Sequence, residues 1–198
     1  MLISIIVFDD FSDLDVFLMW DLLNRVQSKT WKVGLIGERS EQRSRTHVTV
    51  SMHAGLDLAA KSNAVLFAGG PGARVKLGDA RFLQAIRLDP ERQLLGAVCG
   101  GSLLLAALGL LSGKRVAAHS EDRDALERFA ARAVDEPFVS DGNLATAAGC
   151  LAAQQLVGWT VERLRGKRER DRIFESIQPL GSARRQPRET HVLRRVDW

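Results

Sequence analysis

Short apolar runs alternate with amphipathic segments along most of the chain. The runs are rich in β-branched residues and four to seven residues long, which is typical of buried strands. They predict strands at residues 2–8, 31–37, 64–68, 94–98, 115–118 and 144–148. Segments in which apolar residues recur every three or four positions predict helices at residues 13–27, 82–88, 102–110, 124–133 and 149–164.

The alternation of strands and helices predicts an α/β fold. Parallel βαβ units place helices on both faces of a mostly parallel sheet. Residues 38–46 are polar and predict a loop, and residues 47–52 alternate like an edge strand or ribbon. Sheets of this kind bind ligands beyond the carboxyl ends of their strands, so functional residues are expected in the loops at that edge.

The composition is that of an ordinary globular protein, with 198 residues of which 45% are hydrophobic. A chain of this length predicts one domain. Its two cysteines are too few for a disulfide scaffold, so reduced thiols in the cytoplasm are expected. The apolar start runs into Asp9 and Asp10 without a basic leader, so no signal peptide is predicted. No apolar run reaches the roughly 18 residues of a membrane helix, so no membrane partner is predicted.

Basic charge is concentrated at the C-terminal end. Residues 163–198 carry eleven Lys and Arg against five Asp and Glu, a net charge of +6, whereas the whole chain carries +4. We predict a domain over residues 1–178 followed by a basic tail over residues 179–198. An Arg-rich end can contact nucleic acid, but almost no aromatic residues are interleaved here, so a solvated terminus is the favoured interpretation.

Cys99 is the first candidate for chemistry. It ends a predicted strand and precedes a predicted helix, with the small residues Ala97 and Gly101 two positions to either side. This pattern predicts a nucleophile elbow, in which a strained turn projects the side chain into a crevice. The start of the following helix favours the thiolate, so we predict a lowered pKa for Cys99. The alternative is a buried core cysteine.

Cys150 has a similar local pattern. It follows a strand and a glycine, and Ala148 and Ala152 stand at the same offsets. The residues after it look like an ordinary helix core. We therefore predict that Cys150 has a structural packing role.

A glycine-rich turn, Gly69-Gly70-Pro71-Gly72, ends another predicted strand. Its N–H groups, with that of Gly100, can face the same crevice and stabilise a developing negative charge as an oxyanion hole. The turn lacks the Gly-x-Gly-x-x-Gly spacing of a dinucleotide site and the Gly-Lys-Ser/Thr of a P-loop. No cofactor is predicted, and a plain turn is the alternative.

Proton transfer at a reactive thiol needs a partner group. Asp15 lies in the first turn of the first predicted helix, at the carboxyl end of another strand, from which it can reach the Cys99 sulfur. Asp10 and Asp13 are alternatives. The helix dipole alone also favours an Asp in a first helical turn, so a purely structural Asp15 stays open.

The histidines give a weaker signal. His119 follows a strand, where it is either a possible pocket residue or a hydrogen-bonded structural one. The other three, His47, His53 and His191, show no metal-ligand spacing, so no metal site is predicted.

Several motifs occur together in an order that is specific as a set. They are Leu14-Asp15 after the first strand, Ala-Gly-Gly-Pro-Gly at 68–72, Ala-Val-Cys-Gly-Gly-Ser at 97–102, Gly-Leu-Leu-Ser-Gly at 109–113, the turn at His119, and Asp-Gly-Asn-Leu-Ala-Thr-Ala-Ala-Gly at 141–149. Over roughly residues 1–178 the chain resembles the ThiJ/PfpI superfamily, and within it the isonitrile hydratase branch most nearly.

The resemblance implies a flavodoxin-like three-layer sandwich, similar to class I glutamine amidotransferase domains, and a homodimer. It implies that Cys99 is the elbow nucleophile and that Asp15 is the carboxyl group in contact with it. Gly70 and Gly100 are then the donors of backbone N–H groups. The remaining possible pocket residues are His119, Gly69, Pro71 and Gly101.

The implied function is that of a cysteine-dependent hydratase or lyase acting on a small electrophile. An isonitrile gives an N-substituted formamide, and carbonyl-type electrophiles such as glyoxals suit the same groups. The alternative is a non-catalytic ligand or oxidation sensor that uses a low-pKa Cys99.

Two departures from the superfamily narrow this expectation. Its proteases have His directly after the cysteine, and its isonitrile hydratases typically have Thr, whereas Gly100 stands in this chain. The absence of His argues against peptidase activity, and the Thr hydroxyl is missing. The same domain occurs in AraC-type regulators, but the roughly twenty residues after residue 178 are too few for a helix-turn-helix module, so a DNA-binding regulator is not expected.

Overall fold

A computed structural model describes residues 1–178 of the chain. The strands are β1 (Leu2–Ile6), β2 (Lys32–Gly37), β3 (Glu41–Arg43), β4 (Thr49–Ser51), β5 (Ala54–Gly55), β6 (Ala64–Phe67), β7 (Leu94–Val98), β8 (Arg115–Ala117), β9 (Arg132–Val134), β10 (Phe138–Asp141) and β11 (Leu144–Ala147). The helices are α1 (Asp13–Asn24), α2 (Gly72–Lys76), α3 (Ala80–Ala85), α4 (Gly101–Ala107), α5 (Arg123–Glu127), α6 (Ala153–Arg165) and α7 (Lys167–Glu175). Short 3₁₀ turns lie at Leu56–Lys61, Ser120–Asp122 and Cys150–Ala152.

A seven-stranded sheet forms the centre, in the order β10-β11-β7-β6-β1-β2-β5. Every neighbouring pair is parallel except β10 with β11. The chain passes from β1 to β2 on one side and later to β6 on the other. The carboxyl ends of β1 and β6 therefore form a topological switch point, where sheets of this class bind ligands.

Helices cover both faces of this sheet. Helices α1, α6 and α7 pack together on one face, and α2, α4 and α5 pack on the other. Strands buried on both faces need apolar side chains in both directions, which explains the continuous burial of Ile3, Ile5 and Ile6 in β1. The α/β architecture is therefore confirmed as a three-layer sandwich with a mostly parallel sheet.

Several predicted element boundaries are wrong. Helix α1 ends at Asn24, and α3 begins at Ala80, because the Asp79 side chain accepts a hydrogen bond from the Phe82 N–H at 3.0 Å and caps the helix there. The single helix predicted over residues 124–133 is also wrong. Only α5 is helical in that region, and β9 follows it.

The β8–β9 pair explains this second error. The two strands pair in parallel as a small separate sheet, and Ala130 adopts a φ of +57° just before β9. Residue-level periodicity does not detect such a pairing, because the partner strand lies some fifteen residues away. The antiparallel edge strand β10 was not predicted either, because only its first two residues, Phe138 and Val139, are apolar. Strand β3 lies inside the predicted polar loop, where it pairs with β4 as a ribbon.

Candidate active site

The loops that follow β1 and β6 are joined into one wall of a crevice. The Ser12 N–H donates to the Gly69 carbonyl at 2.8 Å, and the Gly72 N–H donates to the Asp10 carbonyl at 3.3 Å. Gly70 sits between them with a φ of +127°, and a Cβ there would lie 2.6 Å from the Ser12 nitrogen. Only glycine fits this position, so the glycine-rich turn is more than a simple connection.

Cys99 occupies the strained turn that its sequence pattern predicts. Its φ is +51°, in the left-handed region that non-glycine residues rarely adopt. The Cys99 N–H donates to the Ala147 carbonyl at 2.8 Å, and its own carbonyl accepts from the Ser102 hydroxyl at 2.8 Å and the Ser102 N–H at 3.1 Å. These bonds hold a conformation that costs on the order of 1 kcal/mol.

Asp15 lies beside Cys99, with Gly69 between them. A Cβ placed on Gly69 would be 2.4 Å from Asp15 Oδ2 and 2.7 Å from Cys99 Cβ. The carboxyl oxygen and the cysteine side chain therefore flank the same point on the strand end. Asp15 is completely buried, although it is in the first turn of α1. The absence of a side chain at Gly69 is what allows the two groups to approach each other.

The Asp15 carboxyl is held in an unusual environment. Neither oxygen has a hydrogen-bond partner of good geometry among the described residues. Burial raises the pKa of Asp15, and the nearby Cys150 thiol, Gly69 N–H and Ser12 side chain oppose that rise, as does the positive charge of Arg45. A buried carboxyl with a raised pKa is a group that retains a proton more readily than an exposed one.

The prediction of a lowered pKa for Cys99 is wrong. Burial, and next the negative charge of Asp15, raise the pKa of Cys99 to about 12, and the Gly100 N–H opposes them only in part. Helix α4 has only seven residues, so its dipole does not outweigh burial. The contribution of Asp15 disappears when the carboxyl is protonated, so the two groups compete for protons as a coupled pair.

Cys150 is not the plain core residue that its sequence suggests. It is half-buried, and its Sγ lies 3.5 Å from Ser12 Oγ. Burial and the neighbouring Asp15 raise the pKa of the Cys150 thiol. Only its offset pattern, shared with Cys99, indicated a place at the crevice. Asp15 thus has two thiols near it, at the ends of the adjacent strands β7 and β11.

The alternative carboxyl groups are directed elsewhere. Asp13 accepts a hydrogen bond from Thr46 Oγ1 at 2.8 Å, and such bonds lower its pKa. Asp10 is exposed, and its N–H donates to the Arg43 carbonyl at 2.8 Å. Of the three candidates, Asp15 is the one that the fold brings to Cys99.

Gly70 and Gly100 border the same turn, whereas Gly101 and Pro71 are placed differently. The Gly70 nitrogen lies 3.8 Å from the point where a Gly100 Cβ would stand, so these two backbone segments border the same turn. Gly101 instead packs under the sheet edge, because a Cβ on it would lie 2.5 Å from the Ala68 carbonyl. Pro71 is exposed at the outer side of the turn.

His119 caps a 3₁₀ turn. It is exposed, and its Nδ1 accepts a hydrogen bond from the Glu121 N–H at 3.5 Å. This geometry favours the hydrogen-bonded structural interpretation over that of a pocket base.

Sequence reasoning missed an ion pair near the thiol. Arg74 in α2 contacts the buried carboxyl of Asp122 at 2.7 Å and the Glu121 carbonyl at 2.9 Å. The negative charge of Asp122 contributes to the raised pKa of Cys99. The two residues are 48 positions apart, and nothing local in the sequence marks them as partners.

Within residues 1–178, no group of three or more His, Cys, Asp or Glu side chains is arranged to hold a metal ion. No helix among those residues combines the length and apolar character that a membrane span requires. The predicted basic tail, residues 179–198, lies outside the described residues.

The site thus combines a strained cysteine at the β7–α4 corner with a buried carboxyl beside it. Residues 1–163 match the DJ-1/PfpI family. The chain belongs to the DJ-1/PfpI family. This confirms the resemblance that the sequence motifs indicated.

The chain is similar in sequence to two curated proteins. It is 38% identical to isonitrile hydratase of Pseudomonas putida over 99 residues, which is 46% of this chain and 43% of that protein. It is 25% identical to Protein dj-1beta of Drosophila melanogaster over 169 residues, which is 83% of this chain and 90% of that protein. The chain therefore aligns with less than half the length of the isonitrile hydratase.

Solved structures share the fold. DJ-1 of Schizosaccharomyces pombe superposes with a TM-score of 0.77 at 18% identity, covering 90% of this chain and all of that one. A ThiJ/PfpI family protein from Pseudomonas syringae gives a TM-score of 0.78 at 22% identity, covering 92% of this chain and 77% of that one. The flavodoxin-like fold is thereby confirmed.

Proposed function

We propose that this DJ-1/PfpI chain is a cysteine-dependent enzyme that adds water to a small electrophile, with isonitriles as the first class to test. One observation carries the proposal. The Asp15 carboxyl is completely buried beside Cys99, and neither oxygen has a hydrogen-bond partner of good geometry among residues 1–178. A buried carboxyl so weakly paired is costly as an anion, so Asp15 is suited to carry one transferable proton next to the nucleophile.

The reaction needs only this thiol, this proton and water. The Cys99 sulfur attacks the terminal carbon of R–N≡C and forms a C–S bond, while Asp15 donates its proton to that carbon and takes up the proton that leaves the sulfur, to give R–N=CH–S–Cys. Water then adds across the C=N bond, with hydroxyl on carbon and hydrogen on nitrogen. Collapse of this adduct breaks the C–S bond, passes the hydroxyl proton through Asp15 back to the Cys99 sulfur and releases R–NH–CHO.

The backbone supplies the remaining stabilisation in this scheme. The N–H groups of Gly70 and Gly100 are the proposed donors to the charged adduct. An α-oxoaldehyde suits the same groups, because its carbonyl carbon accepts the thiolate and Asp15 protonates the resulting alkoxide. The partial identity to an isonitrile hydratase favours isonitriles as the first substrate class.

The test is turnover by purified variants. Cys99→Ala and Cys99→Ser are assayed with a small alkyl isonitrile and with methylglyoxal, and formamide or hydroxyacid release is measured. We expect both variants to fall to background. Arg92→Ala is the matched control, since Arg92 is exposed at the opposite end of β7. Undiminished turnover in Cys99→Ala eliminates the mechanism.

Gly100 offers a test of the substrate class. A Cβ at Gly100 would lie 3.3 Å from the Gly70 carbonyl oxygen, which leaves space for a larger residue after a small shift. Gly100→Thr restores the residue typical of isonitrile hydratases. We expect this variant to hydrate isonitriles faster than the wild type. A slower reaction in a folded variant argues for a different electrophile.

A non-catalytic sensor is the second candidate. The relative that aligns along most of the chain is Protein dj-1beta rather than the hydratase, and both cysteines are free thiols. Peroxide adds oxygen to a reactive thiol as sulfenic and then sulfinic acid. Selective oxygen addition at Cys99 by mass spectrometry, with no turnover of any electrophile, favours sensing.

We also propose that the protein is cytoplasmic and forms a homodimer. Reduced thiols are stable in the cytoplasm. Leu14, Phe17 and Leu151 are 47%, 38% and 70% exposed, and they lie on α1 and on the 3₁₀ turn that packs against it. An apolar face of this kind suits a second copy of the chain. Light scattering is expected to give the dimer mass, and Phe17→Glu the monomer mass.

A further inference from the structure

Ser12 lies at the N-cap of α1 but does not cap it. Serine is favoured there because its hydroxyl accepts a hydrogen bond from the first turn of the helix. Here the side chain makes no such bond, and its Oγ instead lies 3.5 Å from Cys150 Sγ. Ser12 is also buried. A buried hydroxyl that is diverted from the cap towards a thiol indicates a local role for that thiol.

The backbone brings the two cysteines to one place. The Ala147 carbonyl accepts the Cys99 N–H at 2.8 Å and the Gly149 N–H at 3.2 Å, so one oxygen joins both corners. The 3₁₀ turn that begins at Cys150 packs against α1, the helix that carries Asp15. Cys150 is therefore near the Asp15 carboxyl, and each group affects the pKa of the other.

The Asp15 carboxyl supplies the independent observation. It is 0% exposed, and neither oxygen has a partner of good geometry among the described residues. A carboxyl in this position needs a neighbour that fixes its orientation. Without one, rotation of the carboxyl group would turn its proton away from the site of Cys99. The Cys150 thiol and the Ser12 hydroxyl are the side-chain donors that act on this carboxyl.

We propose that Cys150, held by Ser12, is a positioning residue that orients the Asp15 carboxyl and sets how readily it gives its proton to the site of Cys99. This inference rests on the proposed function for its catalytic meaning, but the arrangement is testable without turnover. The thiol donates to the carboxylate form of Asp15 and stabilises it. Removal of the donor therefore makes Asp15 hold its proton to higher pH, which removes negative charge from beside Cys99.

All the charged groups that face the pair enter the experiment. Arg45 acts on Asp15, and Asp122, which is paired with Arg74, acts on Cys99, as does Cys150 itself. Arg45 and Asp122 are unchanged in the variants below, and Cys150→Ala and Cys150→Ser remove the charge of Cys150 alike. The difference between these two variants therefore reports the Cys150–Asp15 contact.

The readout is the pH dependence of Cys99 alkylation by iodoacetamide, followed by mass spectrometry of the Cys99 peptide. Because the charge of Asp15 raises the pKa of Cys99, ionisation of Asp15 produces an inflection in this rate profile below the pKa of the thiol. In Cys150→Ala we expect this inflection to move up by about one pH unit, as for the loss of one hydrogen bond to a charged group. Cys150→Ser keeps a donor of similar size, and its inflection should match the wild type. Ser12→Ala should move the inflection in the same direction by less.

The outcomes separate a positioning role from packing. An unchanged inflection in folded Cys150→Ala, a downward shift, or equal shifts in the Ala and Ser variants would each overturn the inference. If Cys150→Ala does not fold, Ser12→Ala carries the same test, and an unchanged inflection there overturns it. A wild type without turnover that still shows the expected shifts sinks the proposed function and leaves this inference standing.

Discussion

The corners after β7 and β11 carry the two cysteines of this protein on neighbouring strands. At the first corner the chain turns through a left-handed residue, and Cys99 itself adopts a φ of +51°. At the second corner Gly149 takes the positive φ of +112°, and Cys150 begins a 3₁₀ turn in ordinary geometry. One corner therefore places strain on the thiol, and the other places it on a glycine.

This difference explains how one carboxyl serves two thiols in different ways. A residue in the left-handed region persists only where its surroundings enforce it, and such residues concentrate at functional sites. In the proposed function the strained Cys99 is the reactive group, whereas the relaxed Cys150 contacts Ser12. The position of the strain is the reason for proposing Cys99 rather than Cys150 as the nucleophile.

Among these substitutions Gly69→Ala is expected to have the largest effect on stability. Its new side chain fills the space that allows Asp15 to approach Cys99 at the first corner. The new Cβ would lie 2.4 Å from Asp15 Oδ2 and 2.8 Å from the Val98 carbonyl. We expect a loss of about 3 kcal/mol in the free energy of unfolding, as for overpacking in a core. Gly100→Ala is the control, with an expected change of less than about 1 kcal/mol. Equal urea midpoints for the two variants would contradict this.

Asp15→Asn tests the electrostatic coupling of the carboxyl to the first corner. Burial raises the folded-state pKa of Asp15 above its ordinary value of 3.8, so its ionisation opposes folding. The contribution of Asp15 to stability is full below about pH 3.8 and is lost as the pH rises through the raised folded value. We expect the stability of the wild type relative to Asp15→Asn to decrease from pH 4 to pH 8 in urea titrations. An increase over that range would show that Asp15 is stabilised as an anion.

Replacement of each cysteine by glycine and by alanine measures the difference in backbone strain between the two corners. Glycine adopts positive φ without steric cost, so Cys99→Gly should be more stable than Cys99→Ala by about 1 kcal/mol. At Cys150 the order should reverse by a similar amount, because alanine suits the turn and glycine loses more entropy there. Chemical denaturation of all four variants measures this. The same order at both positions would mean that the two corners do not differ in strain.

The smallest effect is expected at the helix cap beside the second corner. Ser12→Ala should cost only a few tenths of a kcal/mol, because no capping hydrogen bond is lost. Asp79→Ala removes a true cap to the Phe82 N–H and should cost about 1 kcal/mol. Thermal unfolding compares them. A Ser12→Ala cost as large as that of Asp79→Ala would mean that Ser12 stabilises the helix after all.

The buried strands were the most predictable part of the fold. Runs such as residues 64–68, and residues 2–8 apart from Ser4, are apolar, because both faces of a parallel sheet are covered. Short elements were less predictable. Strands β9 and β10 hold only two apolar residues each, and β9 pairs with β8, a partner that is distant in sequence.

At the site, the strained turn at Cys99 and the choice of Asp15 followed from local pattern and family resemblance. The protonation states of Cys99 and Asp15 did not follow from the sequence. Helix position alone suggested a lowered pKa for Cys99, but burial and the adjacent carboxyl act in the opposite direction and dominate. Both effects arise from groups that are packed around the sulfur by different elements.

The sequence by itself determined the layered architecture, the elbow and the edge of the sheet at which function is expected, because strand burial and turn chemistry are written in neighbouring residues. Only the tertiary structure decided that Asp15, Ser12 and Cys150 meet, that Arg74 pairs with Asp122, and that the Cys99 thiol is hard to ionise beside a charged Asp15. Proximity across strands and the loss of water are properties of the packed chain, and no local pattern records them.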